Sequence, residues 1–228
     1  MPIEYAQRHF LIRALGHQVY LLVSLLMLLV LYPLLTSKET SGFWMYGIMT
    51  LIVITGPLSL APHRRGVFIS YILAFGMWIP GWIHAVIDTD LTWLISVTGA
   101  AFFAYIAVLI FDQHLMKTDG EVDSETWIAA VNAYLCIGIT FAFVFALIGY
   151  MQPSAFSGMF TDATSNRKYF EKYIYLSFVT ITTLGYGDIT PQTAAARIAA
   201  YFLAVIGQLY MALSVARVVG MIVAKQTR

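Results

Sequence analysis

The feature that most constrains the fold of this chain is a set of six long apolar segments. A helix needs about 20 mostly apolar residues to cross the hydrocarbon core of a bilayer, and each segment is close to that length or longer. Apolar residues make up 60% of the sequence and charged residues only 11%, far from the balance of a soluble domain. The sequence therefore predicts an all-α membrane protein with transmembrane helices at residues 10–35, 43–62, 66–88, 91–111, 126–151 and 191–223.

A seven-residue run, Thr-Thr-Leu-Gly-Tyr-Gly-Asp at 182–188, lies between the last two segments. A potassium ion gives up its hydration shell only where rings of oxygen atoms replace it, and a Thr-x-Gly-Tyr-Gly strand offers backbone carbonyls and a threonine hydroxyl. Gly185 and Gly187 allow backbone angles closed to other residues, so successive carbonyls can face one axis. The stretch before the run, residues 171–182, is too short to span the bilayer, and we expect it to form a re-entrant pore helix.

The run and its flanking segments, over residues 126–224, resemble the pore of the potassium channel family. The resemblance implies a filter made of Thr183, Leu184, Gly185, Tyr186 and Gly187. It further implies that potassium binds the backbone carbonyls of the first four of these residues and the hydroxyl of Thr183. A leucine stands where valine is commoner, which does not alter the carbonyl. Because one filter strand cannot surround an ion, we expect a homotetramer.

The resemblance also assigns residues that support the filter. It implies that Asp188 braces the filter from behind through the hydroxyl of Tyr175, and that Thr182 forms a hydrogen bond behind the filter. The alternative for Asp188 is a solvated position at the pore mouth that only raises the local cation concentration. Some bacterial channels carry an acid at the position of Val179, so inactivation through a carboxyl pair is not expected here.

Two features of the last segment concern gating. Gly207 matches in spacing a glycine at which the inner helix of the family bends; close helix packing is the alternative, since small residues are common at membrane helix interfaces. Met211, Val215 and Val219 recur every four residues. They either line an apolar inner gate or serve ordinary helix packing.

The predicted organisation is a four-helix membrane domain at 1–125 and a pore domain at 126–228, with outer helix 126–151, pore helix 171–182, filter 183–187 and inner helix 191–224. This six-helix plan resembles the voltage-gated cation channel superfamily. A voltage sensor needs several arginines in the fourth helix, because one charge crossing 100 mV is worth only about 2.3 kcal/mol. Segment 91–111 carries no charged residue, so we expect a sensor-like but uncharged domain and little or no intrinsic voltage dependence.

Three polar regions have no single role that the sequence determines. The connector 112–125 holds five acidic residues and one lysine; it is either a solvated loop or a divalent-cation or proton sensor using Asp119 and Asp123. His84 and Asp88 share one helix face and are either a titratable pair or interfacial polar groups. Residues 152–169 are predicted to be a loop, the outer turret, with no chemistry of their own.

Passive, potassium-selective conduction is the function that these features favour. The alternatives are a potassium-translocating subunit of an uptake system, which usually carries four degenerate filters in one chain, and a non-conducting membrane sensor. An enzyme is disfavoured because its candidate residues scatter to opposite membrane faces without a His-x-x-x-His pair. Those residues are His63, His84, Asp88, Asp112 and His114. We expect no catalytic residue and no cofactor, only K⁺ as the permeant ligand.

Charge and its distribution suggest the surroundings of the protein. A net charge of +1 gives no sign of nucleic acid, so the expected partners are K⁺, the lipid bilayer and further copies of the chain. With the N-terminus inside, eight of the 13 Lys and Arg residues fall on the cytoplasmic side, as the positive-inside rule favours. Both termini are then cytoplasmic. The resemblance to compact channels favours a bacterial inner (plasma) membrane.

Overall fold

The chain folds into long α-helices with one short pair of β-strands. The computed structural model describes residues 17–35, 41–60, 64–87, 89–116, 124–158 and 170–226. The helices in these ranges are α1 (His17–Leu35), α2 (Ser41–Ser59), α3 (Arg64–Ile87), α4 (Thr92–Ile110), α5 (Ser124–Met151), α6 (Phe170–Ile181) and α7 (Ala194–Gln226). A π-helical turn, Phe111–Met116, continues α4, and the strands β1 (Phe156–Ser157) and β2 (Thr190–Pro191) pair antiparallel.

Five of these helices are long and apolar enough to cross a membrane. The spans are His17–Leu34, Gly66–His84, Thr92–Gln113, Glu125–Met151 and Ala194–Arg217. The apolar stretch in α2, Gly47–Ser59, is shorter, so the sixth span stays a prediction. Apolar side chains also lie on the outside, where Val30 is 56% and Phe68 is 67% exposed. Exposed apolar surface of this kind is typical of a membrane interaction site, so the structure supports a helical membrane protein.

The start of the last helix differs from its predicted position. The pattern of apolar residues predicts a start at residue 191, but α7 begins at Ala194. Pro191 pairs in β2 instead, and the hydroxyl of Thr193 accepts a hydrogen bond from the N–H of Ala196 (3.4 Å), which is the pattern of a helix N-cap. The predicted start of the first helix, at residue 10, lies outside the described residues.

The acidic connector is helical where it leaves α4, so the loop predicted to begin at residue 112 is wrong for residues 112–116. The ring of Phe111 packs against the ring of Tyr210 in α7, with centroids 5.9 Å apart. This apolar contact holds the end of α4 against α7, so one side of the π-helical turn packs on α7. Asp119 and Asp123 lie outside the described residues.

The contact between α4 and α5 joins the first part of the bundle to the second. A Cβ on Gly99 would lie 2.7 Å from a ring atom of Phe143, so only glycine lets the two helices approach this closely. Phe143 also stacks on Phe103 of α4 (centroids 5.8 Å apart) and contacts Phe170 of α6 at 4.6 Å. One aromatic side chain of α5 therefore links α4 to α6.

Buried polar side chains connect α1, α2 and α5. The side-chain amide of Asn132 donates hydrogen bonds to the backbone and side-chain oxygens of Gln18, at 2.7 and 3.0 Å. The amide of Gln18 donates to the carbonyl of Ser59 at 2.9 Å. All three residues are buried. Because polar groups removed from water need hydrogen-bond partners, this network fixes how α1 and α2 sit on α5.

Candidate functional site

The short helix α6 delivers the chain to the Thr-Leu-Gly-Tyr-Gly segment. Its buried face packs on α5, where the hydroxyl of Ser177 donates to the carbonyl of Gly138 (2.5 Å). A Cβ on Gly138 would lie 2.7 Å from the Cζ atom of Phe178, so the glycine lets α6 lie directly against α5. The helix ends at Ile181, immediately before the segment predicted to be the filter.

The backbone of residues 183–187 alternates between two regions of conformational space. The φ angle is +60° at Thr183, +60° at Gly185 and +79° at Gly187, whereas the residues between them stay out of the positive region. Such alternation lets consecutive carbonyl oxygens point to the same side, as a ring of ion ligands requires. The glycines were predicted to allow this conformation. A threonine at positive φ is uncommon, and it persists only where the surroundings hold it.

Hydrogen bonds to α6 hold the first half of this segment. The N–H groups of Leu184 and Gly185 both donate to the carbonyl of Val179, at 3.0 and 3.3 Å. The hydroxyl of Thr182 donates to the carbonyl of Phe178 at 2.6 Å. These N–H groups point to the C-terminal end of α6, which carries a partial negative charge and favours a nearby cation.

Asp188 follows the segment and lies beside α6. Its Oδ2 accepts a hydrogen bond from the hydroxyl of Tyr175 (2.7 Å), and its Oδ1 accepts one from the N–H of Ile189 (3.0 Å). The hydrogen bond from Tyr175, with a smaller contribution from the N–H of Ile189, lowers the pKa of Asp188 against a partial opposing effect of desolvation. The same bond raises the pKa of Tyr175 to about 12. The contact predicted between these two side chains is present in the structure.

Acidification is expected to break this pair only below the usual titration range of an aspartate. Because the pKa of folded Asp188 is lowered, its contribution to stability is complete above the unfolded pKa, about 3.9, and is lost as pH falls through the lowered value. Tyr175→Phe removes the main cause of the shift, so the acid midpoint should move upward. Thermal unfolding of both proteins between about pH 2 and 5 measures it.

Tyr20→Phe is the matched control for this experiment, since Tyr20 lies on α1 with half of its side chain exposed. This variant should keep the acid midpoint of the wild type. An identical midpoint for wild type and Tyr175→Phe would show that the hydrogen bond does not set the titration of Asp188.

Gly207 lies where α7 passes the end of α6. A Cβ at this position would lie 2.5 Å from Cγ1 and 3.0 Å from the carbonyl oxygen of Ile181. The helix α7 runs through the position without interruption. The structure therefore shows the close packing that was one of the two predicted roles of Gly207, and the bend stays a prediction.

The three residues predicted to form an inner gate share one open stripe of α7. Met211, Val215 and Val219 are each about half exposed, at 48, 52 and 49%. On the buried side of the same helix, the hydroxyl of Tyr210 donates to the carbonyl of Ala130 in α5 (2.7 Å). The stripe therefore lies away from the contact between α7 and α5.

Of the polar residues considered for an enzyme, the structure describes the side chains of His84 and Asp112. Within the described ranges, no three His, Cys, Asp or Glu residues are grouped so that they could hold a metal ion. The ring of His84 contacts the carbonyl of Thr89. His63, Asp88 and the side chain of His114 lie outside the described part.

Comparison with known protein families points to the region just described. A family model described as an ion channel matches residues 134–224, which span most of α5, all of α6, the 182–188 run and nearly all of α7. No curated protein and no solved structure matches the chain. The matched region is less than half of the chain. It supports passive ion conduction through a membrane and favours a non-enzymatic transporter.

Two features of the site were missed by sequence reasoning. One is the positive φ of Thr183, which no property of threonine indicates. The other is a contact between the segment after α5 and the segment after Asp188, made by Ser157 with Thr190 and by Gly158. The glycine and the nearby Pro191 mark turns in the sequence, but neither shows that the two segments meet.

Proposed function

We propose that this chain is one of four identical subunits of a potassium-selective channel and that residues 183–187 form its selectivity filter. The alternating backbone of Thr183, Gly185 and Gly187 is the observation that carries the proposal. Neighbouring N–H groups are bonded back to Val179. The carbonyl oxygens of residues 183–186 and the Thr183 hydroxyl are then the groups that replace the water of a potassium ion.

The exposure of the filter supports assembly into a ring. Residues 182–188 are all exposed in the single chain, and Leu184 and Tyr186 are 54 and 66% exposed. Large apolar and aromatic side chains beside a buried helix are typical of a surface that a partner covers. Four chains related by a rotation axis would bring four filters around one ion path.

The same proposal assigns roles to the surrounding residues. Thr182, Tyr175 and Asp188 support the filter through the hydrogen bonds described above. Gly207 allows the inner helix to bend, and Met211, Val215 and Val219 close the pore by excluding water from an apolar constriction. The assignments in the inner helix concern gating, whereas the groups that bind the ion belong to residues 183–187.

The first four helices carry no device for sensing voltage in the proposed channel. The helix α4 has no charged residue, and each gating charge contributes only about 2.3 kcal/mol per 100 mV. We therefore propose a sensor-like domain at 1–125 with little or no intrinsic response to voltage, followed by the pore domain at 126–228. A steep conductance–voltage relation in purified liposomes would contradict this part of the proposal.

We place the channel in a bacterial inner (plasma) membrane because the sequence resembles compact channels of that kind. Both termini are placed in the cytoplasm because the distribution of basic residues favours that orientation. The filter then lies towards the external side. K⁺, lipid and identical subunits are the partners that this arrangement requires.

Liposomes that contain the purified protein are expected to take up rubidium about tenfold faster than sodium or more, and barium is expected to block the uptake. Rubidium replaces potassium because it has nearly the same size and is easily measured. Protein-free liposomes are the control. A non-conducting sensor would give no uptake above that control, and equal uptake of sodium and rubidium would overturn the proposed selectivity.

A further inference from the structure

The segment that follows α5 is bonded to the segment that follows Asp188. Phe156 and Ser157 pair antiparallel with Pro191 and Thr190, and the N–H of Gln192 donates to the carbonyl of residue 155 (2.7 Å). We call residues 155–158 and 190–192 the strand clamp. It joins two parts of the chain that lie on either side of α6 and the filter.

Three polar side chains fix the register of the strand clamp. The hydroxyls of Ser157 and Thr190 are 2.6 Å apart in a hydrogen bond. The side-chain amide of Gln192 donates to both of them, at 3.1 and 2.8 Å. Two of these contacts, both made by Ser157, cross between the segments, so a shift of either strand by one residue would break them.

The strand clamp is anchored in the apolar core on its β1 side. Phe156 is only 3% exposed. Its ring packs against Phe145 of α5 and Tyr173 of α6, with centroids 5.6 and 5.9 Å apart. The β1 strand is therefore fixed relative to the helices on which the filter rests.

Gly158 brings the strand clamp directly against the backbone of Asp188. Its φ is +75°, and a Cβ at this position would lie 2.0 Å from the carbonyl oxygen of Asp188. The side chain of Asp188 is held on another side by Tyr175. The backbone hydrogen bonds from the filter to α6 are made by residues 182–185. The other end of the filter, from Tyr186 to Asp188, therefore depends on the contacts that Gly158 and Tyr175 make with Asp188.

We propose that the strand clamp positions the Asp188 end of the filter, with Ser157, Thr190 and Gln192 as positioning residues outside the filter motif. Gly185 and Gly187 let the filter backbone adopt positive φ angles, but glycine also leaves the backbone free to adopt other conformations. A second support is therefore needed where the bonds to α6 end. The consequence for ion selectivity rests on the proposed function, but the effect on the backbone does not.

Hydrogen–deuterium exchange of the assembled protein in lipid nanodiscs tests the backbone effect. Ser157→Ala combined with Thr190→Val removes the hydroxyl pair and both side-chain acceptors of Gln192. Exchange in peptides that cover residues 184–188 is expected to rise about tenfold, while exchange in α5 and α7 stays unchanged. The single variant Thr190→Ser keeps the hydroxyl, so exchange in residues 184–188 should equal that of the wild type.

Ser154→Ala is the matched control, because Ser154 is an exposed serine on the same segment whose side chain makes no hydrogen bond within the described part of the chain. Gly158→Ala is a second test, which displaces the carbonyl of Asp188 without removing any polar group. It should raise exchange at 184–188 at least as much as the double variant.

Three outcomes separate the possibilities. Faster exchange at both 155–158 and 184–188 supports the proposal. Faster exchange at 155–158 alone would overturn it, because the strand clamp would then affect only its own residues. A uniform rise over all helices would also overturn it, because the variant would then destabilise the whole fold. If the exchange result holds but the wild type carries no rubidium, the strand clamp stands and the proposed channel function fails.

Discussion

Gly185→Ala is expected to abolish measurable rubidium uptake by liposomes. An added Cβ would lie 4.0 Å from the carbonyl oxygen of Thr183, an ordinary contact distance, so space is not the obstacle within one chain. The obstacle is the φ of +60°, which costs a side-chain-bearing residue about 1–2 kcal/mol. In the proposed ring of four filters, which must adopt the conformation together, the cost rises to about 4–8 kcal/mol.

The control for this variant is Gly47→Ala in α2. A Cβ on Gly47 meets nothing within 4 Å, and its φ is not positive, so uptake should remain that of the wild type. Both variants should assemble, which size-exclusion chromatography of the purified proteins measures. Rubidium uptake by Gly185→Ala at the rate of the wild type would show that the conformation of this residue does not matter for conduction, and the filter assignment would then fail.

The helices were largely predictable because the bilayer imposes a requirement that a sequence shows directly. About 20 apolar residues are needed to cross it, and five such runs form the long helices of the structure. The ends of the helices were less predictable, since they depend on single hydrogen bonds. The cap made by Thr193 and the pairing of Pro191 move the start of α7 to Ala194.

The filter conformation was predictable only where glycine reveals it. Gly185 and Gly187 both have positive φ, as their chemistry suggested. Thr183 shares the conformation against the preference of its own side chain. The hydrogen bonds from the following amides to Val179 hold it there, and contacts between distant backbone groups leave no periodic pattern in a sequence.

The strand clamp was not predictable for a related reason. Each strand has two residues, which is too short for the alternation that identifies a β-strand. Ser157 and Thr190 are 33 positions apart. By contrast, the hydrogen bond between Tyr175 and Asp188 was anticipated, because a known family supplied the pairing that the residues alone do not indicate.

The surroundings of Gly207 favour one of its two predicted roles, the close contact between helices. The sequence allows a hinge or a close contact. In the structure the Cα of Gly207 faces the side chain and the carbonyl of Ile181, which is itself almost fully buried. Because Ile181 is the last residue of α6, this contact places the inner helix against the base of the proposed filter.

Gly207→Ala is therefore expected to destabilise the assembly by about 1–3 kcal/mol per subunit, the usual cost of overpacking a close contact. The clash involves Cγ1 of Ile181, so Ile181→Ala should relieve part of it. In a double-mutant cycle the two changes together should cost less than the sum of the single changes, by about 0.5–3 kcal/mol. Thermal unfolding of the purified protein in potassium measures all four forms.

Gly220→Ala is the matched control in the same helix, because an added Cβ there meets nothing within 4 Å. It should leave stability unchanged or raise it slightly, since alanine favours a helix over glycine by about 0.5–1 kcal/mol. If Gly207 served only as a hinge, Gly207→Ala would alter the rate of rubidium uptake without lowering stability. Adding Ile181→Ala would then not return the rate of uptake to that of the wild type. Additive costs in the cycle would argue against the packing role, whereas coupling between the two positions would show that the inner helix packs against Ile181 at the base of the proposed filter.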